Sequence, residues 1–209
     1  MDAGVEALKE HPELVRARTG LGETPLHHLV VENQLDAVNL LIAHGANVNT
    51  VSDVKGTPLS EAASLGYEEM VNLLLANGAS LSLPNQESPT IIEAVRSGNV
   101  NVVDLLIKHG ATLDVRDDLR YSVAHAAAED DERASVLGYL LANGAEPNAR
   151  GLFEWTPLHV AALHGCHKNV EVLLGSGADR TLRDDENLTA LGIARKSGNT
   201  RIVELLESE

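Results

Sequence analysis

The sequence predicts an all-α protein built from stacked helix-turn-helix units joined by extended, β-hairpin-like fingers. Three observations carry this. A TPLH-like tetrapeptide starts at residues 24, 57, 89, 122, 156 and 189, at intervals of 33, 32, 33, 34 and 33 residues. A GA dipeptide keeps step with it, in HGA at 44–46 and 109–111, NGA at 77–79 and 143–145, and SGA at 176–178. The chain is 44% hydrophobic but only 2% aromatic, so its core must be thin layers of aliphatic side chains. A fixed period of this length marks repeat units that bury their apolar faces only against one another.

Each unit reads in the same order. The tetrapeptides are TPLH, TPLS, PTII, SVAH, TPLH and TALG. In the fuller copies Thr caps a first helix and Pro takes its first position, where the missing N–H costs nothing. Gly66, Gly98, Gly165 and Gly198 break that helix from the next. The second helix carries the pattern VNLLIAHG, VNLLLANG or VDLLIKHG. Its Val and Leu pair at i, i+2 and i+3 place an aliphatic stripe on one side, and the Gly suits the left-handed turn that ends it. A finger then leads to the next tetrapeptide. The fourth unit departs from the pattern: AAAEDDERAS lacks the inter-helix Gly and carries one inserted residue.

With six phased tetrapeptides and five phased GA markers, residues 24–209 resemble the ankyrin repeat, six times over. Residues 1–23 resemble the second helix and finger of a further, partial repeat that would serve as an N-terminal cap. The resemblance implies a solenoid whose concave side is lined by fingers and first helices. It also implies that the scaffold holds another macromolecule there and performs no chemistry itself.

Composition narrows the partners. The formal net charge is −15, which repels phosphate backbones and anionic membranes and favours a basic protein. The same charge also serves plain solubility. One cysteine, Cys166, permits no intramolecular disulfide, as in a reducing compartment. The start MDAGVEALKEHPEL lacks a basic stretch followed by an apolar run, so a cytoplasmic monomer is expected.

Chemistry is hard to find. His27, His125 and His159 hold the fourth place of the tetrapeptide, where the resemblance implies structural bonds to backbone at the helix start. His44 and His109 precede a helix-ending Gly, where a polar or cationic group suits the helix dipole. HGCH places His164, Cys166 and His167 together, but no fourth zinc ligand stands at a suitable spacing, and the segment is the ordinary inter-helix turn. No phosphate loop, nucleophile elbow or dinucleotide fingerprint occurs. No catalytic residue, cofactor or metal is therefore expected. Arg18, Arg116, Arg150 and Arg183 recur six residues before a repeat start. They form either a ladder for an anionic ligand or charge pairs between neighbouring fingers.

The only Phe and the only Trp fall in one finger, RGLFEW. The resemblance leaves Leu152, Phe153, Glu154 and Trp155 free for a partner, as it does Leu163 and His164 at the end of the following helix. Two residues apart in an extended finger, Phe153 and Trp155 project to one side, and Tyr121 holds the place of Trp155 in the preceding finger. Stacked fingers would set Tyr121 beside Trp155. Glu129, Asp130 and Asp131, in the inserted turn, supply either a solvated loop or an acidic rim next to the aromatic anchor. The expectation is a non-enzymatic binder of a basic protein, acting as an inhibitor or immunity-type protein. Alternatively, the repeats are a targeting or assembly segment of a larger protein.

Overall fold

The computed structural model describes residues 10–84, 86 and 88–208; residues 1–9 of the expected partial repeat lie outside them. The chain divides into two units, one of residues 1–97 with 101–111, the other of 98–100 with 112–209. Among the described residues there is no strand.

The first unit starts with a 3-10 turn, Pro12–Arg16, followed by helices α1 (Pro25–Val31), α2 (Leu35–Ala43), α3 (Pro58–Ser64), α4 (Glu68–Ala76), α5 (Thr90–Ser97) and α6 (Val100–Lys108). The first helices of successive repeats, α1, α3 and α5, pack in a row, and α4 packs on α2 behind them. The core between the rows is aliphatic: Leu26 and Val30, Leu59 and Ala62, and Met70 and Leu74 are all essentially sealed from solvent.

The second unit repeats the plan with α7 (Val123–Ala128), α8 (Ala134–Ala142), α9 (Pro157–His164), α10 (His167–Gly175), α11 (Ala190–Ser197) and α12 (Thr200–Glu207). Here α7, α9 and α11 form one row and α8, α10 and α12 the other. First helices carry small residues on the row contact, such as Ala124, Ala127, Ala161 and Ala194, so adjacent helices approach closely.

Helix starts follow from the tetrapeptide. In α9 the Thr156 N–H donates to His159 Nδ1 at 3.2 Å, and Thr24 with His27 and Ser122 with His125 do the same at 3.1 and 3.2 Å. A nitrogen that accepts from an N–H carries no proton, so the ring proton sits on Nε2. That proton is donated onward to a finger carbonyl, from His125 to Trp155 at 3.0 Å and from His159 to Leu188 at 3.2 Å. His125 and His159 thereby tie a helix start to the next finger. Both are buried, and burial comes first among the causes that hold them below the ordinary imidazole range, His125 down to about 4.

In the fourth repeat, where the Gly is missing, the chain takes a 3-10 turn over Asp131–Arg133. Arg133 Nη1 donates to Ala126 O at 2.8 Å, and the buried Asn169 donates to Ala127 O and Asp130 O at 3.1 and 2.8 Å. Side chains thus satisfy the carbonyls at the helix end.

The fingers differ from the extended form expected. Five of them are five-residue turns closed by the first N–H on the fifth carbonyl: Thr19 to Glu23 at 2.9 Å, Ser52 to Gly56 at 3.0 Å, Asp117 to Tyr121 at 3.0 Å, Gly151 to Trp155 at 2.8 Å and Asp184 to Leu188 at 2.9 Å. Bringing the two ends together puts the fourth residue at positive φ, as at Lys55, Arg120, Glu154 and Asn187. The turns stack through single backbone bonds, from Asp53 N to Leu21 O, Leu152 N to Leu119 O, and Asp185 N to Phe153 O.

Candidate partner-binding site

The site is built on the turn Gly151–Trp155. Unlike the other described turns it has two consecutive left-handed residues, Phe153 at φ 59° and Glu154 at φ 58°. A bulky L-residue in that region is held there against its own preference. Phe153 is 58% exposed, so burial offsets little of that preference, while its carbonyl accepts from Asp185 N–H at 3.1 Å. Leu21, Val54 and Leu119 hold the same third place in their turns and are also exposed. An apolar turn tip is thus a recurring feature that the phase of the repeat could have revealed; sequence reasoning singled out only the aromatic one.

Phe153 and Trp155 do lie together, though by way of the 3-10 turn Leu152–Glu154 rather than by extended alternation. With Leu163 from the end of α9 they line a groove of about 530 Å³. Its other wall is the next turn, with Asp185, Glu186 and Leu188, and α11, with Ile193, Lys196 and Ser197. The floor is apolar and the rim mostly acidic. Lys196 is drawn to Glu186 at 3.5 Å. Asp184 belongs to the turn itself, accepting from Leu188 N at 2.7 Å. The contribution of Asp185, Glu186, Leu188 and Ile193 was missed in the sequence, because only turn stacking brings two fingers and one helix end to a common wall.

The remaining expected residues lie elsewhere. The Tyr121 ring lies flat on His125, centroids 4.8 Å apart and planes 12° from parallel. Burial, then Glu129 and Asp117, pushes its phenol upward. Leu152 is half-buried and Glu154 and His164 are exposed. The acidic turn is largely engaged in its own structure. Glu129 is 3.4 Å from Arg133, Asp130 accepts from Glu132 N at 3.0 Å, and Asp131 meets His167 at 2.9 Å and Asn169 N at 3.1 Å.

The recurring arginines chiefly bind carbonyls rather than aspartates of the next finger. Arg150 Nη1 donates to Glu154 O and Arg183 O, both at 2.7 Å; Arg18 donates to Gly22 O and Val51 O at 2.7 and 3.1 Å; and Arg183 donates to Asn187 O at 2.8 Å. Arg116 meets Val115 O and Asp114. The guanidinium fork suits a turn full of inward carbonyls better than a single carboxylate does. In HGCH, Cys166 is buried, and burial, then Asp131 and Asp130, pushes its thiol up to about 11. Among the described residues no three metal-ligating side chains converge, and no helix is long and apolar enough to cross a membrane.

Comparisons with known proteins agree on the repeat. The family model for ankyrin repeats (3 copies) matches residues 3–85, 51–117 and 123–209. The chain is similar to the ankyrin repeat protein nuc-2 of Neurospora crassa, 29% identical over 88% of this chain and 14% of that protein. It is also similar to the nuclear factor NF-kappa-B p105 subunit of Gallus gallus, 31% identical over 84% of this chain and 18% of that protein. The chain therefore spans less than a fifth of the length of either relative. The crystal structure of the human ASB11 ankyrin repeat domain superimposes with a TM-score of 0.85 at 26% identity, covering 100% of this chain and 97% of that one.

Proposed function

Since this chain belongs to the ankyrin repeat family, a scaffold for protein–protein interaction, we propose that it is a non-enzymatic module that grips a basic protein partner in the groove of its second unit. The observation that carries this is Phe153: an exposed aromatic ring in a strained backbone conformation, beside Trp155 and Leu163, on a groove the core does not fill. An aromatic at the centre of an apolar pocket is the usual interface anchor. Asp185 and Glu186 on the rim, with the net charge of −15, favour a partner that presents Lys or Arg next to an apolar side chain. Of the residues expected from sequence, Phe153, Trp155 and Leu163 form the anchor. Leu152, Glu154 and His164 flank it in sequence, and Tyr121 supports the scaffold through His125. Glu129, Asp130 and Asp131 add to the negative field while holding their own turn.

In this reading the protein acts as a monomer in the cytoplasm, avoids nucleic acid and membranes, and inhibits a basic partner by covering its working surface. A second reading has support of its own. The chain spans only 14 and 18% of two relatives, which fits a targeting or assembly segment of a longer protein. Both readings use the same groove. A random peptide library displayed on phage and selected on the protein tests it. Enriched peptides should share an aromatic or aliphatic residue next to Lys or Arg and should compete with one another. Peptides without a basic residue would overturn the electrostatic part.

A further inference from the structure

The first unit holds a second cavity of different character. It has a volume of about 240 Å³ and lies between the turn carrying Val54, Lys55 and Gly56, helix α3 with Glu61 and Ser64, and Ser88 before α5. By repeat phase it corresponds to the groove of the second unit, yet polar groups stand where that groove is apolar. Two of its oxygens lack partners. Glu61 Oε2 and Ser88 Oγ are closed off from solvent and make no hydrogen bond among the described residues, and Ser88 is only 8% exposed. An orphaned buried acceptor is expensive, and one set in the wall of a cavity is satisfied by whatever donor fills the space. Rotation about the last bond of Glu61 meets only a broad, two-fold torsional preference, so either oxygen can be turned to the cavity.

We propose that this cavity receives one basic side chain, a lysine ammonium or an arginine guanidinium, from a protein partner, with Glu61 as its counter-ion and Ser88 Oγ as a second acceptor. The site is distinct from the Phe153 groove and does not depend on it. A cation is favoured over a neutral donor because it supplies several N–H groups and neutralises the buried carboxylate together. The groups facing Glu61 agree. Glu23 adds negative potential and lies 3.4 Å from His28. Glu93 is already matched, with Arg96 at 2.7 Å, so it neither supplies nor takes the missing charge. Lys55 stands on the cavity wall but makes no ion pair with Glu61 among the described residues. Burial, then Glu23, pushes the Glu61 carboxyl up to about 7. Protons therefore compete with the cation, and occupancy falls as pH drops through that value.

The test uses the full chain labelled with ¹³C at glutamate carboxyls, titrated by NMR alone and with n-butylammonium, n-butylguanidinium or n-butanol. The Glu61 midpoint should fall by about one pH unit with at least one cation, as a carboxyl gaining an opposite charge does, and stay in place with butanol. The cation giving the larger fall identifies the preferred side chain. Glu61→Gln should abolish, and Ser88→Ala weaken several-fold, the shifts that the cation induces at cavity amides. An unmoved midpoint with both cations, or an equal effect of butanol, overturns the proposal without recourse to any variant. Undiminished cation binding in folded Glu61→Gln overturns it as well.

Discussion

Tyr121 lies against His125 with ring centroids 4.8 Å apart, and the imidazole beneath it reaches across to Trp155 O at 3.0 Å. The stack leaves no room in the neighbouring turn. A Cβ at Gly151 would sit 2.6 Å from Tyr121 Cδ1 and 3.2 Å from His125 Nε2. Gly151→Ala is expected to cost about 1–3 kcal/mol, as overpacking does, measured by urea unfolding. In a Tyr121→Ala background the same substitution should cost much less, since the nearest atoms are gone.

The imidazole also sets acid stability. The folded-state value of about 4 for His125 lies below the ordinary 6.5, so the unfolded chain binds the extra proton first. Stability is full above about pH 6.5 and is lost as pH falls toward 4, at about 1.4 kcal/mol per pH unit. His27 and His159 shift the same way. Glu61 has the opposite sign: its raised value contributes stability below about pH 4.5 that is lost as pH rises to about 7. Across about pH 4 to 7 the two trends oppose each other, so in thermal unfolding His125→Gln should flatten the rise of stability with pH and Glu61→Gln should steepen it.

The inserted turn of the fourth repeat rests on Asn169, fully buried, with its amide on two carbonyls. Asn169→Ala leaves Ala127 O without this donor and Asp130 O with only the Arg133 N–H, and should cost about 1–3 kcal/mol. Hydrogen exchange should quicken at the start of α10 well before other helices change.

Much of this was legible in the sequence. Thr-Pro pairs placed the starts of α1, α3 and α9, and the glycines placed helix ends, because caps and breaks are decided by single residues and their immediate neighbours. Position in the repeat also brought Phe153, Trp155 and Leu163 forward. What could not be read depends on contacts across repeats. The left-handed backbone of Phe153 comes from turn closure. The Tyr121–His125 stack comes from the small residue opposite, and the buried Oε2 of the half-buried Glu61 comes from a cavity that two turns and two helices line. A pattern read along one chain segment carries no term for any of these.

Phe153 separates binding from stability. Asn tolerates the left-handed region better than an aromatic residue does, and the exposed ring contributes little packing. Phe153→Asn is therefore expected to leave the protein equally stable or more stable by up to about 1 kcal/mol, read from the denaturation midpoint. A large loss of stability would mean that the ring belongs to the core.

The central claim is that the groove between Phe153 and Ile193 holds the partner. Isothermal titration of a selected basic–apolar peptide against the wild type and Phe153→Asn tests it most directly. The account predicts an affinity loss of at least about 10-fold, with weaker binding in higher salt. Equal affinity for the two folded proteins would contradict it.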